Sequence, residues 1–227
     1  MSKSHIIEKN LDITLSEKQK KQFQIYYEYL IEMNEKINLT AITDEEEVYI
    51  KHFVDSLALQ WIKPLKDQKI LDVGAGAGFP SIPLKIIYPN LKVTILDAQK
   101  KRINFLQNLT DKLGIEVTLL HKRAEEYEFK ETFDLVTARA VAKLNILLEL
   151  CVPFLKVDGH FIAYKGPNYF EEMNDAKAAI NRLNTKINNE MSFILHGHER
   201  ALIDIKKTAK TPGKYPRPFK KIKSNPL

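Results

Sequence analysis

A chain of 227 residues with a formal net charge of +6 can form one large α/β domain with an appendage, or two small domains. No stretch approaches the ~18 consecutive apolar residues of a membrane span, and the N-terminus lacks the apolar segment of a secretory signal. We therefore expect a cytoplasmic protein without membrane contact. The single cysteine, Cys151, excludes an intramolecular disulfide, and its apolar neighbours favour a packing role over a nucleophilic one.

The first predicted elements are two amphipathic helices. Ser16 and Gln19 have the spacing of a capping box, and apolar residues recur after them at three- and four-residue intervals. A second helix can begin at Asp44, and it carries His52 and Asp55 three residues apart, on one face. The favoured interpretation of that pair is a local surface hydrogen bond, and the alternative is a direct part in chemistry.

From residue 70 onward, strand patterns alternate with helix patterns, which predicts right-handed βαβ units and a parallel sheet. The predicted strands are Ile70–Val73, Lys92–Leu96, Glu116–Leu120, Phe133–Ala138, Gly159–Gly166, Met191–His196 and Ala201–Lys207. The predicted helices are Pro80–Tyr88, Lys100–Leu113, Leu144–Leu155 and Tyr169–Leu183. Only Gly197–Arg200 separates the last two strands, and four residues can close an antiparallel hairpin but not a parallel crossover. The sequence thus predicts a mostly parallel, seven-stranded α/β sheet ending in an antiparallel hairpin.

These patterns divide the chain into a helical N-terminal cap at 1–66, an α/β core at 67–208 and a basic tail at 209–227. No acidic residue follows Asp204, whereas eight basic residues do, which is compatible with a polyanionic partner. Those basic residues are Lys206, Lys207, Lys210, Lys214, Arg217, Lys220, Lys221 and Lys223. Four prolines in the tail argue against a regular helix or a central strand there.

The loop after the first predicted strand indicates a ligand that approaches the backbone. Gly74, Gly76 and Gly78 alternate there, which fits the Gly-x-Gly-x-x-Gly dinucleotide template poorly. Asp97 ends the next strand, where a carboxylate can accept hydrogen bonds from ribose hydroxyls. Asp72 would repel a pyrophosphate and attract a cationic ligand. The loop therefore favours S-adenosylmethionine over NAD, and a tight turn without any ligand is the alternative.

Seven motifs, in order, resemble those of the ribosomal RNA small subunit methyltransferase G family, also called glucose-inhibited division protein B. They are Asn38–Ile42, His52–Leu57, Asp72–Pro80, Lys100–Leu106, Arg123–Glu125, Ala138–Ala142 and Tyr215–Arg217. The resemblance implies a Rossmann-like class I methyltransferase fold and a bacterial enzyme that methylates N7 of one guanine in 16S ribosomal RNA. Its cofactor would be S-adenosylmethionine, and its partner the RNA or the small ribosomal subunit. We expect a monomer without a metal site.

The resemblance also assigns cofactor contacts at the carboxyl ends of the predicted strands, at Gly74, Phe79, Ala124, Glu125 and Arg139. The glycine loop and the strand end that follows it add Gly76 and Asp97 to the expected cofactor contacts. Because guanine N7 already carries a free lone pair, we nominate no general acid or base. Arg139 is the expected positioning residue, beside the methionine end of the cofactor and able to orient the guanine, and a structural ion pair is its alternative.

Four residues are candidates for contact with RNA. Lys165 ends the fifth predicted strand, Arg200 lies at the hairpin, and Tyr215 and Arg217 lie in the basic tail. A solvated lysine and a frayed terminus are the corresponding alternatives. For the whole chain, two rival functions stay open. One is a nicotinamide-dependent oxidoreductase, which the glycine spacing and Asp72 disfavour, and the other is a non-catalytic RNA-binding or ribosome-assembly factor on the same fold.

Overall fold

A seven-stranded sheet lies at the centre of the computed structural model, which describes residues 3–128 and 130–227. The strands are β1 (Lys69–Val73), β2 (Lys92–Asp97), β3 (Thr118–His121), β4 (Phe133–Arg139), β5 (Leu155–Lys165), β6 (Thr185–Leu195) and β7 (His198–Lys207). Their order is β3-β2-β1-β4-β5-β7-β6. The first five are parallel, whereas β7 is antiparallel to β5 and β6. The predicted mostly parallel α/β sheet with a terminal hairpin is confirmed.

Helices pack on both faces of this sheet. They are α1 (His5–Leu11), α2 (Glu17–Ile37), α3 (Glu45–Val48), α4 (Asp55–Leu57), α5 (Leu59–Ile62), α6 (Ser81–Ile87), α7 (Lys100–Leu113), α8 (Leu144–Cys151), α9 (Tyr169–Asp175), α10 (Lys177–Arg182) and α11 (Phe219–Ser224). Six residues between α3 and α4, Tyr49–Val54, form a π-helical segment. One hydrophobic core joins α1, α2, α6 and α7 to the sheet, and a second lies under α8, α10 and α11.

The N-terminal helices form part of the first core. The predicted capping box is present, because Gln19 N donates to Ser16 Oγ while the Gln19 side chain accepts from Ser16 N. Phe23 and Tyr26 are fully buried in the same core as Phe105 of α7. Helix α1 has no counterpart among the elements predicted from the sequence. The division of the chain at residue 66 stays a prediction.

The hairpin is longer and tighter than predicted. Strands β6 and β7 are joined by His196 and Gly197, with φ angles of 49° and 76°. Two successive residues of positive φ are typical of the type I′ turn, whose twist matches that of paired strands. Strand β5 is also longer than predicted, because it begins at Leu155 and includes Asp158 and Gly159, where its register with β4 shifts.

The tail corrects the expectation drawn from its prolines. Helix α11 begins directly after Pro218 and ends before Pro226, so the prolines flank the helix and do not interrupt it. Ile222 and Leu227 are buried in the second core. The tail is therefore packed against the sheet's helical layer and is not a frayed terminus.

Cys151 is fully buried at the end of α8, and burial raises the pKa of its thiol far above the ordinary range. This agrees with the predicted packing role.

Among the described residues, no helix is both long and apolar enough to cross a lipid bilayer.

Candidate active site

In the glycine loop between β1 and α6, Gly74 is packed against its neighbours, whereas Gly76 adjoins empty space. Gly74 has a φ of 74° and donates its N–H to Leu96 O at 2.7 Å. A Cβ at Gly74 would lie 2.8 Å from Cγ2 of Val141, which follows β4. A Cβ at Gly76, whose φ is 60°, would meet nothing within 4 Å. The backbone at Gly76 therefore faces space that a ligand can fill.

Asp97, at the end of β2, is joined directly to this loop. Its Oδ2 accepts from Gly76 N at 3.2 Å and its Oδ1 from Gln99 N at 2.8 Å, and the side chain is buried. Buried Ala124 and half-buried Glu125 follow β3 in a single helical turn. The carboxyl ends of β1, β2 and β3 thus bring together a carboxylate, bare backbone and a small side chain, which fits an adenosine-containing ligand.

The structure contradicts the prediction that Asp72 faces the ligand. The carboxyl was expected to attract a cationic ligand, but it is fully buried, and its Oδ2 accepts from Ser81 N at 3.1 Å. Burial raises the pKa of Asp72 to about 7, and the neighbouring Ser81 and Thr137 partly oppose that rise. Asp72 therefore holds the start of α6 and does not face the ligand space.

Phe79 connects the glycine loop to the N-terminal helices. Its ring stacks on Tyr26 of α2, with centroids 5.3 Å apart and planes 12° apart. It also stacks on His52 of the π-helical segment, at 4.6 Å and 27°. Because Phe79 is held from two sides, the helices that precede the sheet fix the shape of the loop.

The guanidinium of Arg139, at the end of β4, is occupied by protein acceptors. Its Nη2 donates to Lys51 O and to His52 Nδ1, both at 2.8 Å. Its Nη1 donates to Ser56 Oγ at 3.2 Å and to His52 O at 3.3 Å, and its Nε lies 3.2 Å from Asp55 Oδ2. Arg139 therefore clamps the π-helical segment to the end of the sheet.

The predicted surface hydrogen bond between His52 and Asp55 is wrong. Both side chains are buried, and both are partners of Arg139, because the π-helical segment packs against the end of β4. His52 Nδ1 lies 2.8 Å from Arg139 Nη2 and 3.1 Å from Lys51 O. Because a guanidinium can only donate, the shorter contact with Arg139 assigns the ring proton to Nε2, which then donates to Thr40 Oγ1 at 2.8 Å. Burial, aided by the charge of Arg139, lowers the pKa of His52 to about 3, so the ring is neutral.

These two buried groups predict an unusual pH profile. An unfolded Asp72 loses its proton near pH 4 and the folded one near pH 7, so this group lowers stability as the pH rises between those values. His52 has the opposite effect between about pH 3 and 6.5, where only the unfolded ring is protonated. We expect the two contributions largely to cancel in the parent protein.

The Asp72→Asn variant removes the contribution of Asp72 to the pH dependence and keeps that of His52. Its free energy of unfolding, from urea titrations between pH 4 and 6.5, should rise with pH by about 1 kcal/mol per unit more steeply than that of the parent. The exposed Asp175→Asn variant is the control and should keep the parental profile. Parallel profiles for Asp72→Asn and the parent would show that the buried carboxyl titrates normally.

A cavity of about 520 Å³ lies beyond the carboxyl ends of β4 and β5. It is lined by Asp55, Arg139, Ala140, Val141, Ala142, Lys143, Tyr164, Lys165, Gly166, Glu172 and Arg200. Its volume is within the range of small-molecule sites. Val141 lines it, and Val141 Cγ2 lies 2.8 Å from the position that a Cβ on Gly74 would take, so the cavity adjoins the glycine loop.

The structure brings Arg139, Lys165 and Arg200 together at this cavity. Lys165 is buried, and its Nζ donates to Ala142 O at 2.8 Å and to Glu172 Oε2 at 2.6 Å. Burial lowers the pKa of Lys165, and Glu172 opposes that change. Arg200 has its Nε 3.7 Å from Asp55 Oδ1. No motif or spacing in the sequence points to Glu172, which lies in a polar helix.

Tyr215 and Arg217 do not line this cavity. Tyr215 is buried in the second core. Arg217 forms a bidentate ion pair with the buried Glu149 of α8, with Nε–Oε1 at 2.7 Å and Nη2–Oε2 at 2.6 Å. Both side chains therefore hold the tail against the rest of the protein.

The chain is similar to one protein family over most of its length. Residues 19–203 match the family model described as rRNA small subunit methyltransferase G. A ribosomal RNA small subunit methyltransferase G from Lactococcus lactis subsp. lactis (strain IL1403) is 53% identical over 224 residues, which is 95% of this chain and 94% of the relative. Its counterpart in Staphylococcus carnosus (strain TM300) is 51% identical and covers 95% of this chain and 94% of its own length.

Solved structures of lower identity share the fold. The YcgJ protein from Bacillus subtilis aligns with a TM-score of 0.56 at 16% identity, covering 70% of this chain and 100% of its own. TYW2 from P. horikoshii, solved in complex with MeSAdo, aligns with a TM-score of 0.54 at 16% identity, covering 69% and 61%. At these identities, the likeness concerns the arrangement of helices and strands alone.

Proposed function

We propose that this chain, which belongs to the rRNA small subunit methyltransferase G family, transfers a methyl group from S-adenosylmethionine to N7 of one guanine in 16S ribosomal RNA. The main support for the proposal is that the space beside the glycine loop adjoins the cavity at one edge of the sheet. The open backbone at Gly76, beside Asp97, adjoins a cavity with basic residues in its lining.

The residues at the first three strand ends fit the cofactor. Asp97 would hold the ribose hydroxyls, Ala124 and Glu125 would flank the adenine, and the backbone at Gly74 and Gly76 would receive the methionine end. S-adenosylmethionine, when bound, supplies a methyl group on a sulfonium. The fit rests on the unfilled space at Gly76 and on the carboxylate placed against it.

The proposed reaction requires this chain to position the guanine and does not require it to transfer a proton. Guanine N7 is a hydrogen-bond acceptor with a free lone pair, so no base is required. Arg139 has its guanidinium nitrogens engaged by the π-helical segment, and it lies 5.4 Å from the Phe79 ring centroid. We propose that Arg139 acts by holding that segment and Phe79 in place, so that contact with the guanine falls to other residues.

A methylation assay tests the proposed function. The full chain is incubated with labelled S-adenosylmethionine and with naked 16S RNA, partly assembled particles or mature small subunits. We expect label in the RNA of at least one substrate, mapped to a single N7-methylguanine by chemical cleavage. Label at another atom would refute the N7 assignment, and RNA binding without any label would favour the non-catalytic assembly factor. Calorimetry with NAD and S-adenosylmethionine separates the oxidoreductase rival.

We further propose that the protein is a cytoplasmic monomer. The charge of +6 and the basic surface suit an RNA partner in the same compartment as ribosome assembly. Light scattering of the purified chain should give a single species near 26.2 kDa.

The exposed lysines of the tail are the proposed contacts for RNA phosphates. Lys220, Lys221 and Lys223 are exposed on α11. Replacing the three by glutamine should reduce the slope of log affinity against log salt by about 2–3, while cofactor affinity stays unchanged. The measurement is RNA binding by filter retention over a range of salt concentrations.

A second set of lysines serves as the control for this experiment. Lys9, Lys18 and Lys21 are exposed on α1 and α2, and their replacement should leave the salt slope of the parent. If the tail variant also keeps the parental slope, α11 does not contact phosphate.

A further inference from the structure

The polar groups that line the cavity differ in how many of their donor and acceptor atoms are already hydrogen-bonded within the protein. Arg139 has its guanidinium nitrogens engaged by Lys51, His52, Asp55 and Ser56. It can offer the cavity only the face of its guanidinium. Recognition of a base by hydrogen bonds must therefore come from the remaining polar lining.

Glu172 of α9 keeps one carboxylate oxygen for such a contact. Both hydrogen bonds that it accepts end on Oε2, from Leu144 N at 2.7 Å and from Lys165 Nζ at 2.6 Å. Within residues 3–128 and 130–227, Oε1 has no hydrogen-bond partner, and the side chain is 23% exposed at the cavity. The two bonds to Oε2 fix the carboxylate in one orientation, so Oε1 is a preorganised acceptor.

Arg200 offers the complementary donor. Its Nε is 3.7 Å from Asp55 Oδ1 and its Nη1 donates to Glu199 O at 3.0 Å, while Nη2 has no partner in the described part of the chain. The side chain is 29% exposed and lines the same cavity as Glu172. One cavity thus holds a free acceptor and a free donor.

This pair matches the edge of guanine that does not react. The Watson–Crick edge of guanine presents O6 as an acceptor and N1–H and N2–H₂ as donors, whereas adenine presents an acceptor at N1 and lacks the N2 amino group. Enzymes that act on extruded bases read them by hydrogen bonds to this edge. Contacts there leave N7 free.

We propose that Glu172 and Arg200 select the target base, with Glu172 Oε1 accepting from guanine N1–H and N2–H₂ and Arg200 donating to O6. The inference rests on the proposed function, which supplies guanine as the substrate. Leu144 N, one of the donors to Glu172, directly follows the 140–143 segment that lines the cavity, and Val141 of that segment lies beside Gly74. The selected base would therefore lie beside the cofactor loop.

The test compares two RNA substrates across matched variants of the full chain. One RNA carries the natural guanine at the methylated position, and the other, assembled by splinted ligation, carries inosine, which lacks only the N2 amino group. The parent should prefer guanine in kcat/KM by about 10-fold or more, the effect of one lost hydrogen bond to a charged acceptor. Glu172→Met removes the acceptor, so its preference should fall to about 1.

The neighbouring Glu171 supplies the control, because it is exposed on the same helix. Glu171→Met should keep the parental preference. If Glu172→Met does not fold because Lys165 is left buried and unpaired, the Glu172→Met/Lys165→Met double variant replaces it and should also show a preference of about 1.

Each remaining outcome overturns one specific claim. Equal rates of the parent on guanine and inosine would overturn the role of Glu172 while leaving the methyltransferase function intact. A Glu172→Met variant that slows both RNAs equally would show a merely structural role. Failure of the parent to methylate the guanine RNA at all would overturn the proposed function instead.

Discussion

Replacing Arg139 by methionine is expected to lower the free energy of unfolding by about 3–5 kcal/mol, the typical cost of removing one partner of a buried ion pair. The substitution leaves the Asp55 carboxylate buried without its closest cation, 3.2 Å away in the parent. It also removes the donors to Lys51 O and His52 Nδ1. Urea unfolding followed by circular dichroism measures the change.

Two further variants separate charge from packing in this experiment. Adding Asp55→Asn to Arg139→Met should recover part of the loss, because the uncompensated charge disappears. Arg182→Met, at an exposed position of α10, should change stability by no more than about 0.5 kcal/mol. An Arg139→Met protein within 1 kcal/mol of the parent would show that the clamp contributes little.

The second large effect concerns the cofactor. Asp97→Asn is expected to weaken S-adenosylmethionine binding by about 100-fold, since two hydrogen bonds from ribose hydroxyls to a charged acceptor would be lost or weakened. The same change loosens the contact between Oδ2 and Gly76 N, which shapes the loop. Isothermal titration calorimetry with the cofactor is the direct measurement.

Asp134 provides a matched aspartate at the opposite end of the sheet. It lies near the start of β4, where its Oδ2 accepts from Lys69 N at 2.8 Å. Asp134→Asn should leave cofactor affinity unchanged. Equal losses in both variants would point to a general destabilisation, and no loss in Asp97→Asn would remove Asp97 from the cofactor site.

The sheet could be predicted because its signals are local. Apolar strands alternating with helices specify parallel pairing, and the short spacing between β6 and β7 specifies a hairpin. The prolines of the tail predict no regular helix there, whereas in the structure Pro218 and Pro226 flank α11. Position relative to a helix end decides the effect of a proline.

The site was predicted less completely, because its decisive contacts join distant parts of the chain. Arg139 meets His52 across 87 positions, and no periodicity within either segment reveals that pairing. The loop residues Gly76 and Asp97 could be placed from strand ends alone, and the structure joins them. Glu172 is placed at the cavity by Lys165 and Leu144, and no motif or spacing in the sequence connects either residue with it.

The burial of Cys151 has a practical consequence for mapping the RNA path. It is the single cysteine of the chain, and a fully buried thiol of raised pKa is a poor nucleophile toward alkylating reagents. A cysteine introduced at an exposed position, such as Lys221 of α11, would therefore be the preferred site of attachment for a photocrosslinker or a fluorophore, without prior removal of Cys151. Crosslinked nucleotides, identified by sequencing, would show whether the tail lies on the ribosomal RNA.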